Sequence, residues 1–155
     1  MYCESQVSHV YFGDVEHIRP KAQNQYPQLT FDWSNLGYCC ARCNNSKNDE
    51  FDNDCPLIDP YSENPDEHLL AFGPLLRPRR GSERGALTII TVDLNRPELV
   101  ERRDIRIAEL QNAINACYRT TNNTIRQILL AALEQEGSES KEFSMCAAAL
   151  ITANR

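Results

Sequence analysis

Cys40 and Cys43 stand in a C-x-x-C arrangement, the spacing at which two thiolates grip one metal ion. A tetrahedral ion needs four ligands, and the stretch 37–49 offers half a set before turning polar at Asn44-Asn45-Ser46-Lys47. Two other short stretches bear groups that could work beside it. Glu16-His17, followed by Pro20-Lys21, sets a carboxylate beside an imidazole, and Trp33-Ser34-Asn35-Leu36 offers a side-chain amide. A proton acceptor, oxygen donors and an ammonium belong together on chemical grounds, because acid–base and metal-assisted chemistry uses such sets.

In chain order these pieces resemble the HNH nuclease signature carried on a ββα-metal fold. The signature reads (D/E)-H-I-x-P, then N-L, then C-x-x-C-(H/N)-x-x-K. Here it runs as Glu16-His17-Ile18-Arg19-Pro20, Asn35-Leu36, and Cys40 to Cys43-Asn44 and Lys47. Tyr2-Cys3-Glu4, Glu16 to Lys21, Trp33-x-Asn35-Leu36, Leu57-Ile58-Asp59-Pro60 and Leu94-Asn95-Arg96 add a narrower likeness. They resemble the HNH component of Septu and retron-associated anti-phage systems, which is encoded beside an ABC-type ATPase. The residues after Arg96 carry no such motif.

The resemblance implies phosphodiester hydrolysis with a divalent metal. His17 becomes the general base, since imidazole titrates near neutrality. Glu16 takes the metal-ligand place usually held by Asp, although strand alternation turns it away from His17 unless the backbone bends. Asn44 supplies a second oxygen, and two protein oxygens suit Mg²⁺ or Mn²⁺, with water and substrate phosphate as the remaining ligands. Asn35 ties down the loop and holds His17 in place. Lys47, one turn beyond Asn44, meets a phosphate or complements carboxylates such as Asp49 and Glu50.

Zinc-stabilised members carry two C-x-x-C knuckles. Cys40 and Cys43 form the second, and Cys3 is what remains of the first; its partner would precede Met1. Three readings stay open: a shortened N-terminus, a substitute in Cys39 or Cys55, or an incomplete, metal-free site. Cys39 faces away from Cys40 if the strand persists, so Cys55 or a non-protein ligand is preferred. Cys117 and Cys146 read as packing residues, His9 as a surface or packing histidine, and His68 as part of a helix start without an assigned role.

The elements that must position these groups fall into two textures. Before residues 94–96 the chain is rich in Pro, Gly, Asn and Asp, with short apolar runs; afterwards helical periodicity takes over. Residues 14–18 read as a strand ending at Pro20, 36–40 as its partner, and 44–52 as a short helix. The β-branched run 86–94 reads as a strand that the turn at 81–85 folds back on 75–79. Asn95 and Glu98 form a capping box with Pro97 in the first turn. Helical stripes follow: Val100, Ile107, Leu110, Ile114 and Cys117; then Ile125, Ile128, Leu129, Ala132 and Leu133, stopping at Gly137; then a helix from about Ser140 to Ala153.

The expected fold is α+β: a small ββα-metal HNH core at about 10–52 within a module 1–94, an additional strand pair, and a helical subdomain 95–155 offering a partner-docking surface. With 155 residues, no transmembrane-length apolar run and nothing like a signal peptide at Met1, the chain reads as a cytoplasmic protein without a membrane partner. Seven cysteines, two of them adjacent, suit reduced thiols and metal ligation better than a disulfide framework. The net charge of −6 argues against a strong autonomous nucleic-acid binder. It fits a nuclease that acts on DNA or RNA with an ATPase partner, and also a catalytically degenerate zinc-binding interaction module. The arginines at 77–84 fit a nucleic-acid contact or a solvated hairpin equally.

Overall fold

The computed structural model describes residues 1–6, 12–21 and 25–154, and His9 lies outside them. The architecture is mixed α+β, with five α-helices and two small antiparallel strand pairs among the described residues. Two compact units emerge: 1–69 with 77–95, and 70–76 with 96–155.

In the first unit β1 (Asp14–His17) pairs antiparallel with β2 (Leu36–Cys39), setting Glu16 opposite Gly37 and His17 opposite Leu36. The Ile18 N–H continues the ladder to the Asn35 carbonyl at 3.0 Å. Helix α1 (Ala41–Lys47) follows at once, because Cys40 takes the N-cap position and its Sγ accepts the Cys43 N–H at 3.4 Å. That cap starts the helix three residues before the expected 44–52 span. It ends at Asn48, whose φ of +47° turns the chain sharply away.

The second strand pair, β3 (Leu69–Phe72) with β4 (Leu75–Pro78), differs from the one expected from sequence. Its supposed outer strand, 86–94, is instead helix α2 (Glu83–Thr91). The Ser82 side chain caps it by accepting the Gly85 N–H at 3.0 Å, with Glu83 in the first turn. Burial then falls on Gly85, Thr88 and Val92, a helical rather than an alternating spacing. Thr88 Oγ1 accepts the Ile58 N–H at 3.0 Å, and a Cβ at Gly85 would lie 2.3 Å from the His68 carbonyl oxygen. Tertiary contacts thus override the β propensity of Thr-Ile-Ile-Thr-Val.

The second unit holds α3 (Pro97–Arg119), α4 (Asn123–Glu136) and α5 (Ser144–Ala153). Arg96 rather than the anticipated Asn95 is the N-cap of α3, without a side-chain cap bond of its own; Pro97 occupies the first turn. Asn122 caps α4 through two backbone N–H groups, and Gly137 ends it. Leu110, Ile114, Cys117, Leu133 and Ala147 make the buried cluster, with Leu129 and Leu150 against it. Ile125 and Ile128, expected in the α4 stripe, are 50% and 64% exposed. No helix among the described residues is long and apolar enough to cross a membrane.

Candidate active site and thiol cluster

Strand β1 and helix α1 line a cavity of about 220 Å³, with Glu16, His17, Lys21, Asn44, Asn48 and Asp49 in its wall. The same segment pair that forms the ββα core therefore brings the Glu-His and Asn positions together. His17 is oriented from the loop between the strands, where its Nε2 lies 3.0 Å from the Thr30 carbonyl oxygen. A carbonyl only accepts, so Nε2 carries the ring proton and Nδ1 is left as the basic atom.

Asn35 builds that loop. It is buried, its Oδ1 accepts the Arg19 N–H at 2.8 Å, and its Nδ2 donates to the carbonyls of Arg19 (3.0 Å) and Leu29 (3.2 Å). Leu29 immediately precedes Thr30, so this amide sits one residue from the carbonyl that orients His17. Arg19 lies over the rings of Tyr26 (5.6 Å) and Phe51 (5.5 Å), tying the loop to the segment after α1.

Glu16 and Lys47 occupy the interior. Their side chains are 2% and 1% exposed, with Lys47 Nζ 2.6 Å from Glu16 Oε1. Burial pushes the Glu16 carboxyl above its ordinary value, and Lys47 works in the opposite direction. Oε1 has the ammonium's charge nearby but no aligned hydrogen-bond donor. Lys47 also donates to the His17 carbonyl at 3.0 Å and to the Asn48 carbonyl at 3.5 Å. Asn44 lies one turn before Lys47, and its Nδ2 donates to Asp14 Oδ2 at 3.1 Å.

Three contributors escape a reading of the sequence. The Thr30 carbonyl is a backbone atom and leaves no residue-type signal. Asp14 stands two residues before Glu16 on the same strand face, a spacing that marks it only once α1 is known to cover that face. Asp49 reaches the cavity wall through the left-handed turn at Asn48.

Apart from this cavity, the sulfurs of Cys3, Cys40 and Cys43 lie within 4.8 Å of one another and could hold a metal ion. All seven cysteines are free thiols. Hydrogen bonds from Cys3 foremost, then from Cys39 and Cys43, hold Cys40 well below the ordinary thiol range. Beside it, Cys43 is pushed up, first by Cys3, and Cys39 is pushed up to about 12, first by Cys40. Thiols packed this closely compete for protons, the crowding that a bound cation relieves. Cys55 is half-buried and stands outside this group. Cys39 is buried; strand alternation does not carry it away from Cys40, because the strand ends there and Cys40 caps a helix.

His68 is a satisfied structural histidine, with Nδ1 2.9 Å from Ser82 Oγ and Nε2 3.5 Å from Glu63 Oε2. Arg84 pairs with both oxygens of Glu63, at 2.5 and 2.8 Å, and donates to the Pro56 and Leu57 carbonyls. Within the 77–84 run this arginine therefore serves the fold.

A two-stranded antiparallel pair followed directly by a short helix, with Glu-His on the strand and Cys-x-x-Cys-Asn entering the helix, is the arrangement of an HNH endonuclease domain. Residues 1–50 match the HNH endonuclease family. The chain is also 31% identical over 96 residues to the Septu protein PtuB of Bacillus thuringiensis, covering 61% of this chain and 36% of that protein. It is 28% identical over 144 residues to the Septu protein PtuB of Bacillus mycoides, covering 71% of this chain and 49% of that protein. The chain thus spans half or less of the length of these relatives. No solved structure matches it significantly.

Proposed function

We propose that the chain is a divalent-metal-dependent endonuclease that hydrolyses phosphodiester bonds in DNA or RNA as an effector of anti-phage defence. The observation that carries this reading is the single cavity walled by Glu16, His17 and Asn44, with the His17 ring held through Nε2. His17 accepts the proton of the attacking water at Nδ1 while the Thr30 carbonyl keeps the ring in the tautomer that allows it. Asn35 acts through the loop, as the tie that keeps that carbonyl in position.

Glu16 and Asn44 are the residues that would hold a catalytic Mg²⁺ or Mn²⁺. The donor set fits a hard cation: one carboxylate and one amide, both in the wall of the same cavity. When bound, the ion supplies Lewis-acid stabilisation of charge on the phosphate and leaving oxygens.

Cys3, Cys40 and Cys43 suit a structural Zn²⁺. Thiolates bound at about 2.3 Å in tetrahedral geometry stand roughly 3.8 Å apart, and Cys3 and Cys40 are 3.7 Å apart. Seven cysteines, two of them adjacent, suit reduced thiols and with them work in the cytoplasm. The net charge of −6 leaves little general attraction for a polyanion. Substrate capture therefore falls partly to an ABC-type ATPase, as the Septu likeness suggests. The α3–α5 unit, with Ile125 and Ile128 exposed on α4, offers that partner an apolar contact.

The test is cleavage of plasmid DNA and of structured RNA by wild type and His17→Ala with Mg²⁺ or Mn²⁺, with and without the co-expressed ATPase. Loss of the general base should lower the rate roughly 10²–10⁴-fold. Equal rates for the two proteins would sink the assignment.

A further inference from the structure

A lysine that binds a phosphodiester must bring its ammonium to the surface along which the strand lies. Lys47 does the opposite. Its side chain is 1% exposed, and its three contacts are all internal: Glu16 Oε1 at 2.6 Å, the His17 carbonyl at 3.0 Å and the Asn48 carbonyl at 3.5 Å. Enclosed by a carboxylate and two carbonyls, the ammonium is turned away from any substrate oxygen.

The partners are as informative as their number. Glu16, His17 and Asn48 all line the cavity, two from the end of β1 and one from the turn that closes α1. One charged group therefore joins the strand end to the helix end, one turn beyond Asn44. Stability alone is a poor reason for the pair. Removing an ammonium and a carboxylate from water costs several kcal/mol per ion, and an apolar pair of similar volume often serves the fold as well. Retaining the charges suits a site in which a carboxylate must stay ionised and fixed in direction.

We propose that Lys47 is a buried positioning residue, not a phosphate contact, which fixes the Glu16 carboxylate and the His17 backbone against Asn48. The proposal rests on the nuclease reading for its catalytic consequence. Its structural half is independent of substrate.

The experiment uses the full 155-residue chain as wild type, Lys47→Met and Lys47→Arg. Thermal unfolding checks the fold, Mn²⁺ affinity is measured by calorimetry and paramagnetic resonance, and kcat and KM are separated in the cleavage assay. Disturbing a group that orients a metal ligand typically costs about 10–100-fold. Lys47→Met should therefore weaken Mn²⁺ binding and lower kcat by that order, with KM and the salt dependence of substrate binding unchanged. Lys47→Arg should fail similarly, because a planar guanidinium cannot make the same three internal contacts. A phosphate contact predicts the reverse: raised KM, a shallower salt dependence, intact Mn²⁺ affinity, and rescue by Arg. That pattern would overturn the proposal.

Should Lys47→Met not fold, Lys47→Arg decides alone: weaker Mn²⁺ binding supports the proposal, and wild-type Mn²⁺ affinity with wild-type kcat overturns it. Should wild type cut neither DNA nor RNA, the nuclease reading fails. The Mn²⁺ comparison still answers for Lys47, since equal affinity in wild type and the folded variants refutes it.

Discussion

The ββα core and the α3–α5 unit are held by different kinds of interaction. In the core, four-residue strands and a seven-residue helix carry few apolar groups. Their geometry depends on directional contacts: the Cys40 cap, the Glu16–Lys47 pair and the three backbone bonds of Asn35. In the helical unit, Leu110, Ile114, Cys117, Leu133 and Ala147 bury a continuous apolar cluster, and charges such as Arg106 with Glu136 lie at its margin. Directional contacts specify positions to a fraction of an ångström but tolerate little change. Apolar packing supplies most of its stability without regard to direction and tolerates substitutions of similar volume. The proposed nuclease site, with a base and a metal near one phosphate, would lie on the first kind of scaffold.

The sharpest way to break this contrast is at the thiols. Cys43→Ser, or a zinc chelator, should unfold the β1–β2–α1 region while leaving most of the far-UV helical signal, because metal binding and folding are coupled in such small sites. Loss of helical signal in step with the core would show that the two regions do not differ in this way. Next in size is Ile114→Ala in the apolar cluster. It should cost the helical unit about 2–5 kcal/mol in denaturant unfolding, with Mn²⁺ affinity unchanged.

Asn35→Ala leaves three backbone groups without their partner and should destabilise the core by about 2–3 kcal/mol. It should also lower kcat by freeing the loop that holds Thr30, and nuclear magnetic resonance of the His17 ring should report a changed Nδ1/Nε2 protonation balance.

A smaller effect concerns Glu63. Partial burial opposes ionisation there, but Arg84 outweighs it and holds the carboxyl below its ordinary value of 4.5. A depressed folded value means that the stabilisation is fully present above pH about 4.5 and disappears as pH falls through the folded value. Glu63→Gln should therefore flatten the acid limb of a stability–pH profile while lowering stability at neutral pH. An unchanged limb would show that the pair contributes nothing. Least disruptive to the fold is Ile128→Asp on the exposed face of α4, expected within about 0.5 kcal/mol of wild type. If that face meets the ATPase, co-purification should nonetheless be lost.

Legibility in the sequence follows the same division. The β1–β2 pair and the end of α4 at Gly137 could be read locally, since alternation, a metal knuckle and a helix stop each leave marks within a few residues. The three α3 residues Leu110, Ile114 and Cys117 were equally visible from their spacing. The run 86–94 misled because Thr, Ile and Val favour strands on average. Its actual state was decided by the Ser82 cap, the close approach of Gly85 to His68, and the bond from Ile58 to Thr88. Asn95 looked like a cap, yet the chain enters α3 through Arg96.

By itself, then, the sequence determined which chemical groups are available and their order: a carboxylate and imidazole on a strand, an amide in a loop, thiols and an asparagine entering a helix. Residue type and short spacing are local properties, and they carry that information directly. Only the tertiary structure decided what each group faces. It turned Lys47 inward onto Glu16, gave His17 its tautomer through the Thr30 carbonyl, set Asp14 beside Asn44, and left Cys55 out of the thiol cluster. Burial and hydrogen-bond partnership depend on segments far apart in the chain, and no single stretch encodes them.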